Sequence, residues 1–226
     1  MQTRFSPTNR PETMGANVLF QIRELLLTGQ LMPGEMLSLR SIAQAAGVSV
    51  MPVREAVAKL VAEQALEVTP NRSVRVPILT VEQFTEVTNI RVQIEGYAVE
   101  QAALTAPESL IPVLRDLNKR FIEAMDAPSI NTTAVVMLNK EMHFQIYEAA
   151  AMPMLLKIID GLWLRIGPIL NYDIHVGSQR TDKKTAVVHH TNLIDALERR
   201  DPTAAKMALK DDIESAYRHI LEKKYA

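Results

Sequence analysis

The stretch from residue 38 to residue 76 constrains the fold of this chain more than any other part. It opens with apolar residues at helical spacing, namely Leu39, Ile42 and Ala46. Gly47 follows them, as expected where a sharp turn needs a positive backbone φ. Ser49 and Pro52 are typical of the N-cap and first turn of a helix. We therefore predict two short helices joined by a tight turn.

The second of these helices has one apolar face, formed by Val53, Val57 and Leu60. Arg54 falls on the other side, where it would face solvent. Two strands are predicted next, over residues 66–69 and 74–76, joined by a polar tip at residues 70–73. A short helix presented in this way fits the major groove of DNA. The pattern therefore predicts a winged helix-turn-helix.

Charge alone does not support nucleic-acid binding, because the net charge of the 226-residue chain is −1. The prediction depends instead on the motif and on four arginines within it: Arg40, Arg54, Arg72 and Arg75. The absence of cysteine excludes disulfides and thiolate metal ligands. No apolar run is long enough for a membrane span or a signal peptide, so we expect no membrane partner and a cytoplasmic location.

The remainder of the chain reads as helical. Thr80 and Gln83 form a capping-box pattern, and six amphipathic segments follow, at about 81–104, 108–125, 131–149, 152–171, 180–200 and 202–223. Pro168 is expected to kink or end the fourth. We predict a mainly α fold with a winged helix-turn-helix and a six-helix C-terminal bundle. The expected domains are a disordered tail (1–16), the winged domain (17–76), a linker (77–80) and the bundle (81–226).

Polar residues on inward helix faces are candidate metal ligands. Asn139 and His143 are four residues apart, on a face that continues through Tyr147. His190 and Asp212 lie beside apolar stripes of two later helices. Two imidazoles, a carboxylate and an amide oxygen suit Zn²⁺, Ni²⁺ or Mn²⁺. A hydrogen-bonded core histidine is the alternative, because spacing does not bring three helices together.

Arg91 has two interpretations. It can point inward and hold a carboxylate ligand through two parallel hydrogen bonds. It can also form a surface ion pair with Glu95, which is four residues further along the helix.

Taken together, these motifs resemble the GntR family of transcription regulators, in its FadR-like branch with an FCD effector domain. The N-terminal match comprises Gly29, Leu31, Pro33, Gly34, Leu37, Ile42, Ala43, Gly47, Val48, Ser49, Pro52, Val53, Arg54, Glu55 and Ala56. Six C-terminal helices, rather than seven, resemble the VanR-type subset. The resemblance covers residues 17–223.

The resemblance implies which residues contact DNA. Arg40 and Arg54 match arginines that contact phosphates and bases, Ser49 matches a backbone contact, and Asn71 and Arg72 match the wing tip. This chain has Val50 and Met51 where the family usually has Arg and Thr, and Ser73 replaces the usual wing glycine. A guanine reader is thereby lost, and the apolar pair can contact a thymine methyl instead.

The resemblance also implies a divalent metal in the effector domain, which the family commonly holds with one Asp and three His. The matching positions are Asn139, His143, His190 and Asp212. His143 and His190 are unchanged. Asn139 stands where the family has its aspartate, and Asp212 stands where the family has its last histidine, so the formal ligand charge remains −1. Arg91 matches a position near the effector pocket, which favours its role as a carboxylate-binding residue.

We therefore expect a DNA-binding transcription regulator that is a homodimer and not an enzyme. A small organic acid would control it, and repression is expected from the family. Two rivals stay open: an architectural DNA-binding protein with a non-sensing bundle, and a metal-dependent hydrolase. The hydrolase lacks an obvious second carboxylate, and no Glu-x-x-His or His-Glu-x-x-His pattern occurs.

Overall fold

The computed structural model describes residues 14–175 and 185–224. Of the disordered tail predicted over residues 1–16, residues 1–13 lie outside this part of the chain, as does the break predicted at residues 177 and 178. Residues 14–16 were wrongly assigned to that tail, because they form the start of the first helix. The N-terminal elements are α1 (Met14–Leu27), β1 (Met36–Leu37), α2 (Leu39–Ala46), α3 (Val50–Ala62), β2 (Glu67–Val68) and β3 (Val74–Arg75). The later elements are α4 (Val81–Thr105), α5 (Leu110–Asp126), α6 (Thr132–Ala149), α7 (Pro153–His175), α8 (Thr185–Glu198) and α9 (Pro202–Lys224). The predicted fold class is confirmed.

Local signals explain the helix-turn-helix. The side chain of Ser38 accepts a hydrogen bond from the backbone N–H of Ser41 and caps α2. Gly47 ends α2 in the left-handed conformation, with φ 67°, which glycine adopts without steric cost. Ser49 is extended before α3, and the buried face of α3 is formed by Val53, Ala56, Val57 and Leu60. The packing of α3 against α1 and α2 fixes the orientation of its exposed face.

The wing contains one strand more than the sequence pattern predicts. Strand β3 lies between β1 and β2, and both pairings are antiparallel. Arg75 is opposite Met36 on one side and opposite Glu67 on the other. Strand β1 is only two residues long, so it has no alternating pattern that a sequence reading could detect.

Helix α1 begins at Met14, three residues before the expected start of the winged domain at residue 17. The Asn17 side chain does not cap the helix but accepts a hydrogen bond from Gln21 Nε2, 2.9 Å away and one turn further along. The buried face of this helix includes Val18, Ile22, Leu25 and Leu26.

The chain forms two compact units, and α7 contributes to both. Within the described residues, one unit comprises 14–79 with 163–172, and the other comprises 80–162 with 173–175 and 185–224. Helix α7 continues through Pro168, so the expected helix end does not occur there. A proline inside a helix costs about 3 kcal/mol. Ile166 and Ile169 are buried beside it, and burial of each such side chain contributes about 1.5–3 kcal/mol, which offsets that cost.

The helical unit begins with the predicted capping box. Thr80 accepts a hydrogen bond from the backbone of Gln83, and the Gln83 side chain accepts one from the backbone of Thr80. Helix α4 packs against α6, α8 and α9, while α5 packs against α6 and α8. This arrangement brings side chains of α4, α6, α8 and α9 into a common interior. Over residues 14–175 and 185–224, we find no helix that combines the length and apolar character needed to cross a bilayer.

Candidate nucleic-acid interface and candidate metal centre

The exposed face of α3 carries the residues predicted to read DNA. Arg54 is exposed, whereas its neighbour Val53 is fully buried. Met51 is also on the surface, with 58% of its area accessible, and Val50 is half-buried. The N-terminal end of this helix therefore presents one cation and two apolar side chains, which can contact phosphate or guanine and thymine methyl groups respectively.

Arg40 and Ser49 lie at the starts of the two helices of the motif. Arg40 is exposed in the first turn of α2. Ser49 occupies the N-cap position of α3, but its side chain makes no capping hydrogen bond. Its exposed hydroxyl is thus positioned beside helix N–H groups that favour an anion such as a DNA phosphate.

The wing tip is held by Thr69. Its backbone N–H donates to Ser73 O over 2.8 Å, its carbonyl accepts from Arg72 N at 2.8 Å, and its hydroxyl contacts Asn71 Oδ1. Arg72 adopts the left-handed conformation, with φ 61°. The position at which the family usually has a wing glycine is the next one, Ser73. Asn71 and Arg72 are both exposed. The tip therefore projects an amide and a guanidinium.

Arg75 differs from the other three arginines of the predicted basic cluster. It is half-buried, and its Nε forms an ion pair with Glu67 on the neighbouring strand. Because that carboxylate offsets its charge, Arg75 contributes less than Arg40, Arg54 and Arg72 to attraction of a phosphate backbone.

In the helical unit, three of the predicted metal ligands converge. His143 of α6, His190 of α8 and Asp212 of α9 are buried, and one ligand atom from each lies within 4.8 Å of the others. His143 Nε2 is 3.4 Å from Asp212 Oδ2, and His190 Nε2 is 3.9 Å from Asp212 Oδ1. The two imidazole rings meet edge to face with centroids 5.3 Å apart. Helix packing thus supplies the proximity that spacing alone did not show.

The donor set and its charge fit a divalent cation. Metal bonds to nitrogen and oxygen of about 2.0–2.2 Å place two ligands of one ion at most about 4.4 Å apart, and both measured separations from Asp212 are shorter than this. The buried charged side chains of the described residues are Arg91, Glu95 and Asp212. One cation against two carboxylates leaves a net negative charge, which a bound cation would offset.

Asn139 lies on α6 one turn before His143 and is half-buried. Its spacing places it on the face of α6 that carries His143. Its role as a fourth ligand stays a prediction.

Arg91 forms the ion pair with Glu95 that its spacing suggested, but the pair is buried rather than on the surface. Arg91 Nε donates to Glu95 Oε1 at 2.6 Å, and Nη2 donates to Oε2 at 3.3 Å. The Glu95 side chain is fully inaccessible, and that of Arg91 is 5% exposed. An internal carboxylate therefore already occupies the guanidinium edge predicted to hold an external one.

Tyr147 connects this ion pair to the histidine cluster. Its hydroxyl donates to Glu95 Oε2 at 2.5 Å and lies 3.2 Å from His143 Nδ1. Burial and the negative charge of Glu95 hold the pKa of Tyr147 well above its ordinary value, so the phenol is protonated at neutral pH. Burial opposes the charge on Arg91, but the negative charge and hydrogen bond of Glu95, together with the charge of Asp212, outweigh it and raise the pKa of Arg91.

Sequence reasoning did not assign Glu95 or Tyr147 to the site. A signal for both was present, since Arg91 and Glu95, like His143 and Tyr147, are four residues apart in helices. The contact between the two pairs joins α4 to α6, and no spacing along the chain reveals it.

Comparison with known families supports both units. Residues 15–76 match the gntR family of bacterial regulatory proteins, and residues 86–215 match the FCD domain. The two matches cover most of the chain, and the short gap between them contains the boundary between residues 79 and 80 of the compact units.

Individual relatives are transcriptional regulators. The chain is 27% identical over 190 residues to the HTH-type transcriptional regulator McbR of Escherichia coli, covering 84% of this chain and 85% of that protein. It is 28% identical over 134 residues to the Nta operon transcriptional regulator of Aminobacter aminovorans, covering 59% and 62%.

Solved structures are similar over nearly the whole chain. The structure of E. coli McbR/YncC superposes with a TM-score of 0.87 at 26% identity, covering 95% of this chain and 100% of that one. A GntR-type putative regulator from Rhodococcus shares the fold, with a TM-score of 0.76 at 23% identity over 94% and 99% of the two chains.

Proposed function

Because this chain belongs to the GntR family of bacterial regulatory proteins and carries an FCD domain, it is a DNA-binding transcriptional regulator, and we propose that a small organic acid controls it. The acid would bind in the helical unit beside a divalent metal, and the protein would act in the cytoplasm as a homodimeric repressor. The single observation that carries the sensing proposal is the buried convergence of His143, His190 and Asp212.

The winged unit supplies DNA recognition. In our proposal, the N-terminal end of α3 enters the major groove with Arg54, while Val50 and Met51 meet thymine methyl groups. Arg40 and Ser49 contact phosphates. Asn71 and Arg72 reach the minor groove from the wing tip. Contacts from these cations to phosphates release counterions, so operator affinity should fall steeply as salt rises.

The helical unit supplies the sensor. His143, His190 and Asp212 would hold Zn²⁺, Ni²⁺ or Mn²⁺, with Asn139 as a further oxygen ligand. When bound, such a cation offers a Lewis-acidic position to which a carboxylate can coordinate. The buried side chains around it exclude water and keep the local dielectric low, which strengthens attraction of an anion.

Arg91 is the proposed charged partner of the acid, and the Glu95 contact defines how it can act. An incoming carboxylate has to use the guanidinium edge that Glu95 leaves, or displace Glu95 from Nε and Nη2. An acid with two anionic or polar ends could reach the metal position with one end and Arg91 with the other.

An exposed apolar stripe on α4 supports dimerisation. Ile90, Tyr97 and Leu104 are spaced by seven residues and are 40%, 44% and 55% exposed. Seven residues are close to two helical turns, so the three side chains lie along one face. A second copy of the chain could cover them. Two winged units would then read the halves of a near-palindromic operator.

The sensing proposal is tested by metal analysis and a thermal-shift screen of small carboxylates on purified protein. We expect bound divalent metal, a higher melting temperature with the correct acid, and a 5–150-fold change in operator affinity, which corresponds to about 1–3 kcal/mol of coupling. His143→Ala should lower metal content and melting temperature together, whereas His189→Ala, at a half-buried position outside the cluster, should leave the metal in place.

Two results would contradict the proposal. Equal metal content in His143→Ala and parent protein would remove the site from the mechanism. Operator binding that ignores every acid and chelator tried would favour an architectural DNA-binding protein whose helical unit has no sensing role.

A further inference from the structure

A line of buried polar groups leads from α4 to the candidate metal centre. It begins at Arg91, passes through Glu95 and Tyr147, and reaches His143, whose far nitrogen faces Asp212. All five residues are buried in the helical unit. The chemistry of these groups determines where the protons in this line reside.

The direction of the hydrogen bonds follows from the chemistry of each group. A guanidinium only donates and a carboxylate only accepts. Glu95 therefore accepts from Arg91 and also from the Tyr147 hydroxyl, which lies 2.5 Å from Oε2. Since a phenol has one proton, the oxygen of Tyr147 can only accept toward His143 Nδ1, 3.2 Å away. Nδ1 of His143 must then carry a hydrogen.

This assignment leaves the lone pair of the neutral imidazole on Nε2. That nitrogen is 3.4 Å from Asp212 Oδ2, a second acceptor. Two buried acceptors at this separation repel one another unless a positive charge lies between them. A divalent cation meets that requirement, and so does a second proton on His143, which would make an ordinary imidazolium–carboxylate pair.

We propose that Arg91, Glu95 and Tyr147 are positioning residues that fix the tautomer of His143 so that Nε2 is presented as a metal ligand. The inference rests on the metal site of the proposed function and adds residues that do not contact the ion. Metal-binding histidines usually donate their other ring N–H to a carboxylate or a carbonyl. Here a tyrosine oxygen takes that place, and Arg91 and Glu95 hold the tyrosine proton away from the ring.

The principal test compares Zn²⁺ affinity in full-length, metal-stripped protein and two hydroxyl-deletion variants. Tyr147→Phe should weaken Zn²⁺ binding about 10–100-fold, the usual effect of removing an outer-shell partner. Tyr217→Phe is the matched control, because its hydroxyl also has a hydrogen-bond partner in the helical unit, Thr85 at 2.8 Å, yet lies outside the cluster. That variant should stay within about twofold of the parent. Circular dichroism verifies that both variants are folded.

A second measurement uses the parent protein and needs no variant. Two-bond ¹H–¹⁵N spectra of ¹⁵N-histidine-labelled, zinc-loaded protein distinguish protonated from unprotonated ring nitrogens, and His143→Ala identifies the His143 signals. We expect a protonated Nδ1 and a zinc-bound Nε2. A protonated Nε2 would overturn the proposal even if Tyr147→Phe failed to fold.

The possible failures are distinguishable. If the parent protein binds no Zn²⁺, Ni²⁺ or Mn²⁺, and both nitrogens of His143 are protonated, then the metal site itself is absent and an imidazolium pairs with Asp212. If the parent binds Zn²⁺ and Tyr147→Phe binds it equally well, the metal site stands and only the positioning role is overturned.

Discussion

Arg54 is the residue on which operator recognition most depends in our proposal, because it is the exposed cation nearest the N-terminal end of α3. Replacement of Arg54 by alanine should weaken specific operator binding by about 1–3 kcal/mol and should leave the fold intact. The loss should be sequence-dependent if Arg54 contacts a base and uniform across sequences if it contacts phosphate. Fluorescence anisotropy with operator and scrambled duplexes at several salt concentrations measures both.

Arg120→Ala is the control for this substitution, because Arg120 is an exposed arginine on α5 of the helical unit. It should bind the operator as the parent does. Operator binding by Arg54→Ala at parental strength would remove the recognition helix from the proposal.

For individual residues, the sequence predicted which face of a helix a side chain lies on, but it did not predict how deeply that side chain is buried. Helical periodicity placed His143 and Tyr147 on one inward face, and both are buried. The same reasoning found the Arg91–Glu95 spacing but offered a surface pair, whereas the structure shows a buried one. A spacing of four residues indicates that two side chains of one helix are neighbours. It does not indicate whether another helix covers them.

At the scale of elements, the backbone of α7 approaches that of α1 so closely at Gly167 that the methyl group of an alanine there should disturb the packing. A Cβ built on Gly167 lies 2.8 Å from the carbonyl oxygen of Leu26 and 3.3 Å from Leu27 Cα, both backbone atoms of α1. Because backbone cannot move aside as a flexible side chain can, Gly167→Ala should destabilise the winged unit by about 1–3 kcal/mol. Thermal and urea unfolding monitored by circular dichroism provide the measurement.

Gly161→Ala is the matched control in the same helix, since a Cβ at Gly161 meets nothing within 4 Å. That change should stabilise α7 by roughly 0.5–1 kcal/mol, the difference between alanine and glycine inside a helix. Equal stability of Gly167→Ala and Gly161→Ala would mean that α7 and α1 do not pack as closely as described.

Element prediction succeeded where a local signal was strong. The capping box at Thr80 and Gln83 and the turn at Gly47 were both read from the sequence and are both present. Of the two outcomes expected at Pro168, a kink or a helix end, the helix end does not occur, because the burial of its apolar neighbours outweighs a local preference. The role of Gly167 had no local signal, since it depends on a segment about 140 residues earlier in the chain.

For the whole molecule, the stripe formed by Ile90, Tyr97 and Leu104 makes the proposed dimer testable. Tyr97→Glu would place a charge in the centre of an apolar contact, and substitutions at such central positions cost about 2 kcal/mol or more. We expect at least a tenfold weaker dimer by analytical ultracentrifugation, and weaker binding to a two-half-site operator. Half-site binding should change little.

Val113→Glu provides the comparison, because Val113 is 45% exposed on α5, outside the stripe. It should remain as dimeric as the parent. A fully dimeric Tyr97→Glu would show that the α4 stripe is not the interface.

The polar line from Arg91 to Asp212 also restricts how this protein can vary over evolutionary time. Loss of Glu95 alone would strand a guanidinium in the interior, a defect of about 3–5 kcal/mol, whereas replacing both partners by apolar residues is often neutral or better. Substitutions that are harmful singly become tolerable in pairs. Descendants of this chain should therefore keep the Arg91–Glu95 ion pair or replace both residues together, and few should have only one of the two.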